Sequence, residues 1–271
     1  MRYYLDVNAV YNYNNLSKEV QSNCFTSALA ILEIVAGFND KDFYRRKVAL
    51  KNIVDNKVHV DWRLVESIMY DAFDILNEFE MLNHNITHLK EIALDCLAAK
   101  SFSDIKRKDL ILYFKAIDKS LSNIFTQGRR SVNLVFRDVD TSIKFQEVRI
   151  ELDKQKLLQT LFISDISRYS EISLKYIVNT VFSIIKRSKA IDKPTYSKEE
   201  IKASYNNLID VFLLAFDRDF FNFLGVDELP GKNDLQDLYH LFYLREGDMI
   251  ISDDKRFKKL IPELTLSLTD F

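Results

Sequence analysis

The sequence predicts an α/β fold: a central, mostly parallel sheet interrupted by a large, mainly helical insert. Three observations predict it. Short apolar runs alternate with amphipathic stretches at both ends of the 271-residue chain. The middle carries helical periodicity almost throughout. Only 5 glycines and 3 prolines punctuate the whole, so long helices with few tight turns are expected.

Residues 1–62 form the first half of the predicted core. Arg2–Leu5 is a short aromatic strand ending at Asp6, and "DVNAVYNYNNL" turns from it into a helix that Asp6 or Asn8 can cap. "CFTSALAILEIVAGF" reads as one helix, with Thr26 and Ser27 as cap candidates and a stop near Gly37. "DKDFYRRKVALKNIV" is a further amphipathic helix, and "KVHVDW" alternates like a strand.

Residues 63–206 read as the insert. Leu64, Ile68, Phe73, Leu76 and Phe79 recur at helical spacing, as do Ile86, Leu89, Ala93 and Leu97. Leu110, Phe114, Ile117, Leu121 and Ile124 give a third helix, and Ile172, Tyr176, Val181 and Ile185 a fourth. Between them, residues 131–152 alternate in two places, so a hairpin competes with helix. Pro194 marks a linker, and Ser197 with Glu200 is a capping box that opens a long helix. Residues 207–271 return to the core pattern: "DLQDLYHLFYLREG" is a helix stopped by Gly247, and "MIIS" is a strand apolar enough for a parallel-sheet interior.

Composition narrows the class. Hydrophobic residues make up 47% and charged residues 29%, which suits a globular chain. A net charge of −2 puts any nucleic-acid contact on local basic patches, for which Lys106–Lys108, Gly128–Arg130 and Lys255–Arg256 are candidates. Two cysteines, Cys24 and Cys96, are too few for a disulfide framework and suggest a reducing, cytoplasmic setting. No apolar run is long enough for a membrane span, and the N-terminus is a poor signal peptide. There is no phosphate loop, GxGxxG or GxSxG, so nucleotide-fuelled, dinucleotide-redox and serine-hydrolase chemistry lack support. His84 and His88, four apart, mimic a metal pair but read as a solvated loop or helix end.

Several acids sit where acids are costly. Glu33 lies in a helix apolar on nearly every side, Asp6 between Leu5 and Val7, and Asp237 beside Leu238 and in line with Leu241. Buried carboxylates protonate, pair or bind metal. Asp6 and the Asp253–Asp254 pair each follow a predicted strand, at the sheet edge where ligands collect. Carboxylates ~4 Å apart in a partly dry site repel by several kcal/mol, which a divalent cation relieves, and all-oxygen donors suit Mg²⁺ best. His240, one turn past Asp237, reads as a partly exposed structural histidine.

These stretches together resemble the PIN-domain nucleases. "LDVNAVY" is similar to that family's opening strand and Asp-x-Asn turn, and "TSALAILEIVAG" to its Ser/Thr-led helix with one Glu. "NDLQDLYHLFYLREGDMIISDDKRF" resembles its closing signature, with Ser252 at a Thr position, Asp254 at the acid and Phe257 at a Phe. The resemblance covers about half the chain and implies a three-layer α/β/α core. It also implies a Mg²⁺ site (Mn²⁺ substituting) held by Asp6, Glu33, Asp237 and Asp254. Asn8, Asp234, Ser252 and Asp253 would support it, with Asp253 a rival to Asp254.

The implied activity is metal-dependent phosphodiester hydrolysis, of RNA ahead of DNA, in RNA processing or as a toxin with an antitoxin partner; self-association is left open. Two rivals stand beside it: a PIN-like scaffold without catalysis, and a structure-specific DNA nuclease.

Overall fold

A computed structural model describes residues 1–75, 80–119, 171–187, 196–224 and 237–271. The architecture is a three-layer α/β/α arrangement around a five-stranded sheet, with a large helical insert. Contacts divide the chain into two units. The first comprises Met1–Ile68, Asn77–Leu121 and Tyr239–Phe271, the second Met69–Leu76 and Ser122–Leu238.

The first unit holds the sheet. Its strands are β1 (Tyr3–Leu5), β2 (Cys24–Ser27), β3 (His59–Asp61), β4 (Met249–Ile251) and β5 (Thr265–Leu266), in spatial order β3-β2-β1-β4-β5. Every neighbouring pair is parallel. Strand order therefore runs outward in one direction from β1 and in the other from β4. The gap between the C-terminal ends of β1 and β4 is the switch point, where crossovers leave on opposite faces and open a crevice.

The central pair is pinned at its start. Asp248, buried to 4% exposure, accepts from Arg2 Nε and Nη2 at 2.9 and 2.7 Å and from the Arg245 backbone N–H at 3.0 Å. Gly247 makes the turn that delivers it, at φ +82°, a left-handed conformation that glycine adopts without strain. Asp248→Ala should cost about 1–2 kcal/mol in a urea melt, the half-exposed guanidinium limiting the loss.

Helices follow the strands as the caps dictate. Asp6 caps α1 (Val7–Tyr11), Ser17 caps α2 (Lys18–Ser22) and Ser27 caps α3 (Ala28–Ala36). Eight of the nine α3 residues are buried, and the ninth is Glu33. The α3 C-terminus is held by Arg46 of α4 (Phe43–Asp55), whose Nη1 donates to the carbonyls of Glu33 and Ile34 at 3.0 and 3.2 Å. Gly37 leaves room for that guanidinium, since a Cβ there would sit 1.8 Å from Arg46 Cζ. α6 (Glu80–Ala98) packs on α3 and α4, and a helix over residues 108–119 joins the same core through Leu110, Ile111 and Phe114.

Glu66, in α5 (Val65–Ala72), lines a cavity of about 50 Å³ with Leu29, Leu32, Asn85, Phe114 and Tyr243. Burial raises its carboxyl above the ordinary 4.5. A raised folded-state value favours the fold below the unfolded pKa and loses that benefit as pH rises through the folded one. Glu66→Gln is therefore expected to raise Tm at pH 7, with the gain vanishing as pH falls towards 4.5.

The second unit contains the helices Glu171–Arg187, Lys198–Ala203 and Asp210–Leu224, the first packed on the other two. Ser197 and Glu200 form the expected capping box, but the helix they open ends after six residues rather than running long. The ambiguous stretch 131–152, the linker around Pro194 and the basic run 128–130 lie outside the described residues.

Two strands differ from the sequence expectation. Cys24–Ser27 is strand, not the first turn of a helix, and all four residues are buried. Thr265–Leu266 adds a two-residue edge strand. The expected helix before Gly247 is a 3₁₀ segment over Leu238–Tyr243, with Asp237 helical just ahead of it.

Candidate active site

The switch-point crevice brings together Asp6, Ser252, Glu33 and His240, all singled out in the sequence. Asp6, immediately past β1, is 5% exposed. Its Oδ1 accepts the Ala9 N–H at 2.7 Å, the cap of α1, and its Oδ2 accepts the hydroxyl of Ser252, immediately past β4. Ser252 Oγ in turn accepts the Asp254 N–H at 3.1 Å, which sets the turn into the Lys255–Leu260 helix. Residues 246 apart in sequence thus share one hydrogen bond across the central strand pair. Burial pushes the Asp6 carboxyl above 3.8; the Ser252 and Ala9 bonds and nearby His240 oppose that shift, and Glu33 adds to it.

Glu33 reaches the same crevice from α3. Its Oε1 lies 3.3 Å from His240 Nε2, and the side chain is 21% exposed. The sequence reading of His240 as partly exposed is wrong: the residue is 3% exposed, because the whole of 238–244 is buried and offers no solvent face. On its other side His240 Nδ1 lies 2.6 Å from Tyr4 Oη, and Tyr4 Oη lies 2.7 Å from Ser27 Oγ. Sequence reasoning missed Tyr4 and this role of Ser27. The one available signal was alternation, which puts Tyr4 on the side of the strand that Asp6 follows.

The remaining candidates are placed as follows. Asp254 is half-buried and caps its helix through the Arg256 N–H at 2.7 Å. Asp253 is exposed, accepting from Ser267 Oγ at 2.7 Å and Leu268 N–H at 3.1 Å, with Lys258 Nζ 3.5 Å away. Those partners, Ser267 foremost, hold its carboxyl below 3.8. Asn8 is exposed in α1. Asp237 is half-buried and belongs to the second unit, and Asp234 lies outside the described residues.

His84 and His88 stand in α6 with ring centroids 4.0 Å apart. In the basic run 106–108, the Lys106 and Arg107 N–H groups donate to Asp95 and Lys108 Nζ donates to the Ser103 carbonyl. Among the described residues no group of three or more His, Cys, Asp or Glu is placed to hold a metal. Asp6 and Glu33 are oxygen donors that both act beside His240, and Mg²⁺ commonly binds through one or two carboxylates, with waters and substrate phosphates filling its octahedron.

Fold and crevice together define a three-layer α/β/α protein of a kind compatible with hydrolase activity. Comparison with protein-family models, curated proteins and solved structures gives no match. No helix among the described residues is long and apolar enough to cross a membrane.

Proposed function

We propose that the chain is a Mg²⁺-dependent, PIN-like nuclease, and an endoribonuclease in particular. The observation that carries the reading is the meeting of Asp6 with Ser252, and of Glu33 with His240, at the β1/β4 switch point. Ligands of open parallel sheets collect there, and buried acids at that edge need a reason to exist.

Asp6 and Glu33 would hold the cation, with Mn²⁺ as substitute. When bound, such an ion polarises a phosphoryl oxygen and lowers the pKa of a coordinated water. The chain's own contribution is orientation. Ser252 and the Ala9 N–H fix both oxygens of Asp6, and α3 presents its one acid from an otherwise apolar surface. Asp254 is proposed as a further acid of the site, with Asn8 and Asp253 supporting, while Asp237 belongs to the second unit. Asp254 already serves as a helix cap.

The test is cleavage of labelled RNA and DNA by the purified chain in Mg²⁺, Mn²⁺ or EDTA. RNA cleavage abolished by EDTA is expected; DNA cleavage alone would move the substrate to the rival nuclease reading. A catalytically silent scaffold is favoured by one observation, that the Asp253 and Asp254 carboxylates already have protein partners. Cleavage of neither polymer would favour that reading. A partner of the antitoxin kind would appear as a small protein co-purifying with the chain.

A further inference from the structure

We propose that His240 is a positioning residue for Glu33, aimed in its turn by a buried hydroxyl chain running Ser27–Tyr4–His240. The inference rests on the nuclease reading of the crevice.

With a neutral imidazole, one direction of the chain satisfies every contact. The Nε2 proton of His240 then faces the Glu33 carboxylate, whose Oε1 lies 3.3 Å away. In the neutral imidazole Nδ1 is then the acceptor, and the Tyr4 hydroxyl 2.6 Å away donates to it. Tyr4 Oη, having given its proton, accepts from Ser27 Oγ at 2.7 Å. Ser27 Oγ accepts the Ala30 N–H at 3.2 Å, which anchors the chain to the first turn of the helix that carries Glu33. The loop closes on itself: α3 supplies both the anchor of the chain and the carboxylate at its far end.

Burial makes this arrangement stiff. Tyr4 and Ser27 are fully buried and His240 is 3% exposed, so water does not compete for the Ser27–Tyr4–His240 bonds. The Tyr4 ring is clamped by Phe25, edge-on at 5.4 Å, and by Tyr243, stacked at 6.0 Å. A glutamate side chain has three torsions and would otherwise sample many positions at a half-open crevice. Groups that hydrogen-bond a metal-binding carboxylate fix its orientation, and removing them typically weakens metal binding about 10–100-fold.

The experiment measures Mn²⁺ binding to the full chain without substrate, by electron paramagnetic resonance titration, alongside thermal melts. His240→Leu should weaken binding about 10–100-fold. His240→Gln, whose amide can still donate towards Glu33, should recover most of it. Tyr4→Phe removes a single oxygen and keeps the packed ring, so it should fold where a histidine variant fails, and should weaken binding several-fold. Folded His240→Leu and Tyr4→Phe chains that bind Mn²⁺ as tightly as the natural chain would overturn the positioning role. If Asp6→Asn meanwhile abolishes binding, the nuclease reading survives that loss. A natural chain that binds no Mn²⁺ at all removes both.

Discussion

Asp6→Asn is expected to lower Mg²⁺-dependent cleavage by more than about 100-fold, above the range for groups that only support a metal ligand. The substitution isolates charge from structure. Asparagine is as good a helix N-cap as aspartate, so its side-chain oxygen can keep accepting the Ala9 N–H at the start of α1. Removing the charge also removes a burial cost. The Asp6 carboxyl sits above its ordinary value because it is desolvated, so its ionised form works against the fold at neutral pH and the cost fades as pH falls through the folded value. Without divalent ions the variant should therefore melt no earlier than the natural chain at pH 7. Lost cleavage with an intact melt places the defect in the chemistry. Undiminished cleavage would end the assignment of Asp6 to the site.

Phe257→Ala should cost about 3–5 kcal/mol, read as a drop in the urea midpoint at unchanged slope. Phe257 is 1% exposed and is one of two buried residues that seat the Lys255–Leu260 helix; Leu260 is the other. That helix begins at Asp254, so a collapsed Phe257 pocket also loosens the turn carrying Ser252. A loss of this size is a large fraction of the ~5–15 kcal/mol that holds most domains together. Phe257→Leu keeps most of the volume and should cost far less. Equal costs for the two would show that the ring fills no real cavity.

How much of this was legible in the sequence depended on whether the signal was local. β1 and β4 were readable because each is apolar and stops at an acid or serine that cannot stay in the strand. Asp6 and Ser27 were readable as caps for the same reason. β2 was not, because Cys24–Ser27 passes into α3 with no turn residue between, and Ser27 ends the strand and caps the helix at once. β5, at two residues, is shorter than any periodicity can register. The proximity of Asp6 to Ser252 has no local signature; only the shared position past two predicted strands and the resemblance at the two chain ends suggested it. His240 was not legible because helical spacing implies an exposed face, whereas the segment is 3₁₀ and buried on every side.

The pairing of β1 with β4 bears on how this protein is made. During synthesis the second neighbour of β1 appears only after some 240 further residues have been translated. Until then the nascent chain carries an open strand edge beside Tyr4 and a crevice wall without Ser252, so incomplete products are adhesive. Contacts this distant along the chain slow folding, which makes the unfinished polypeptide a natural client for a holding chaperone.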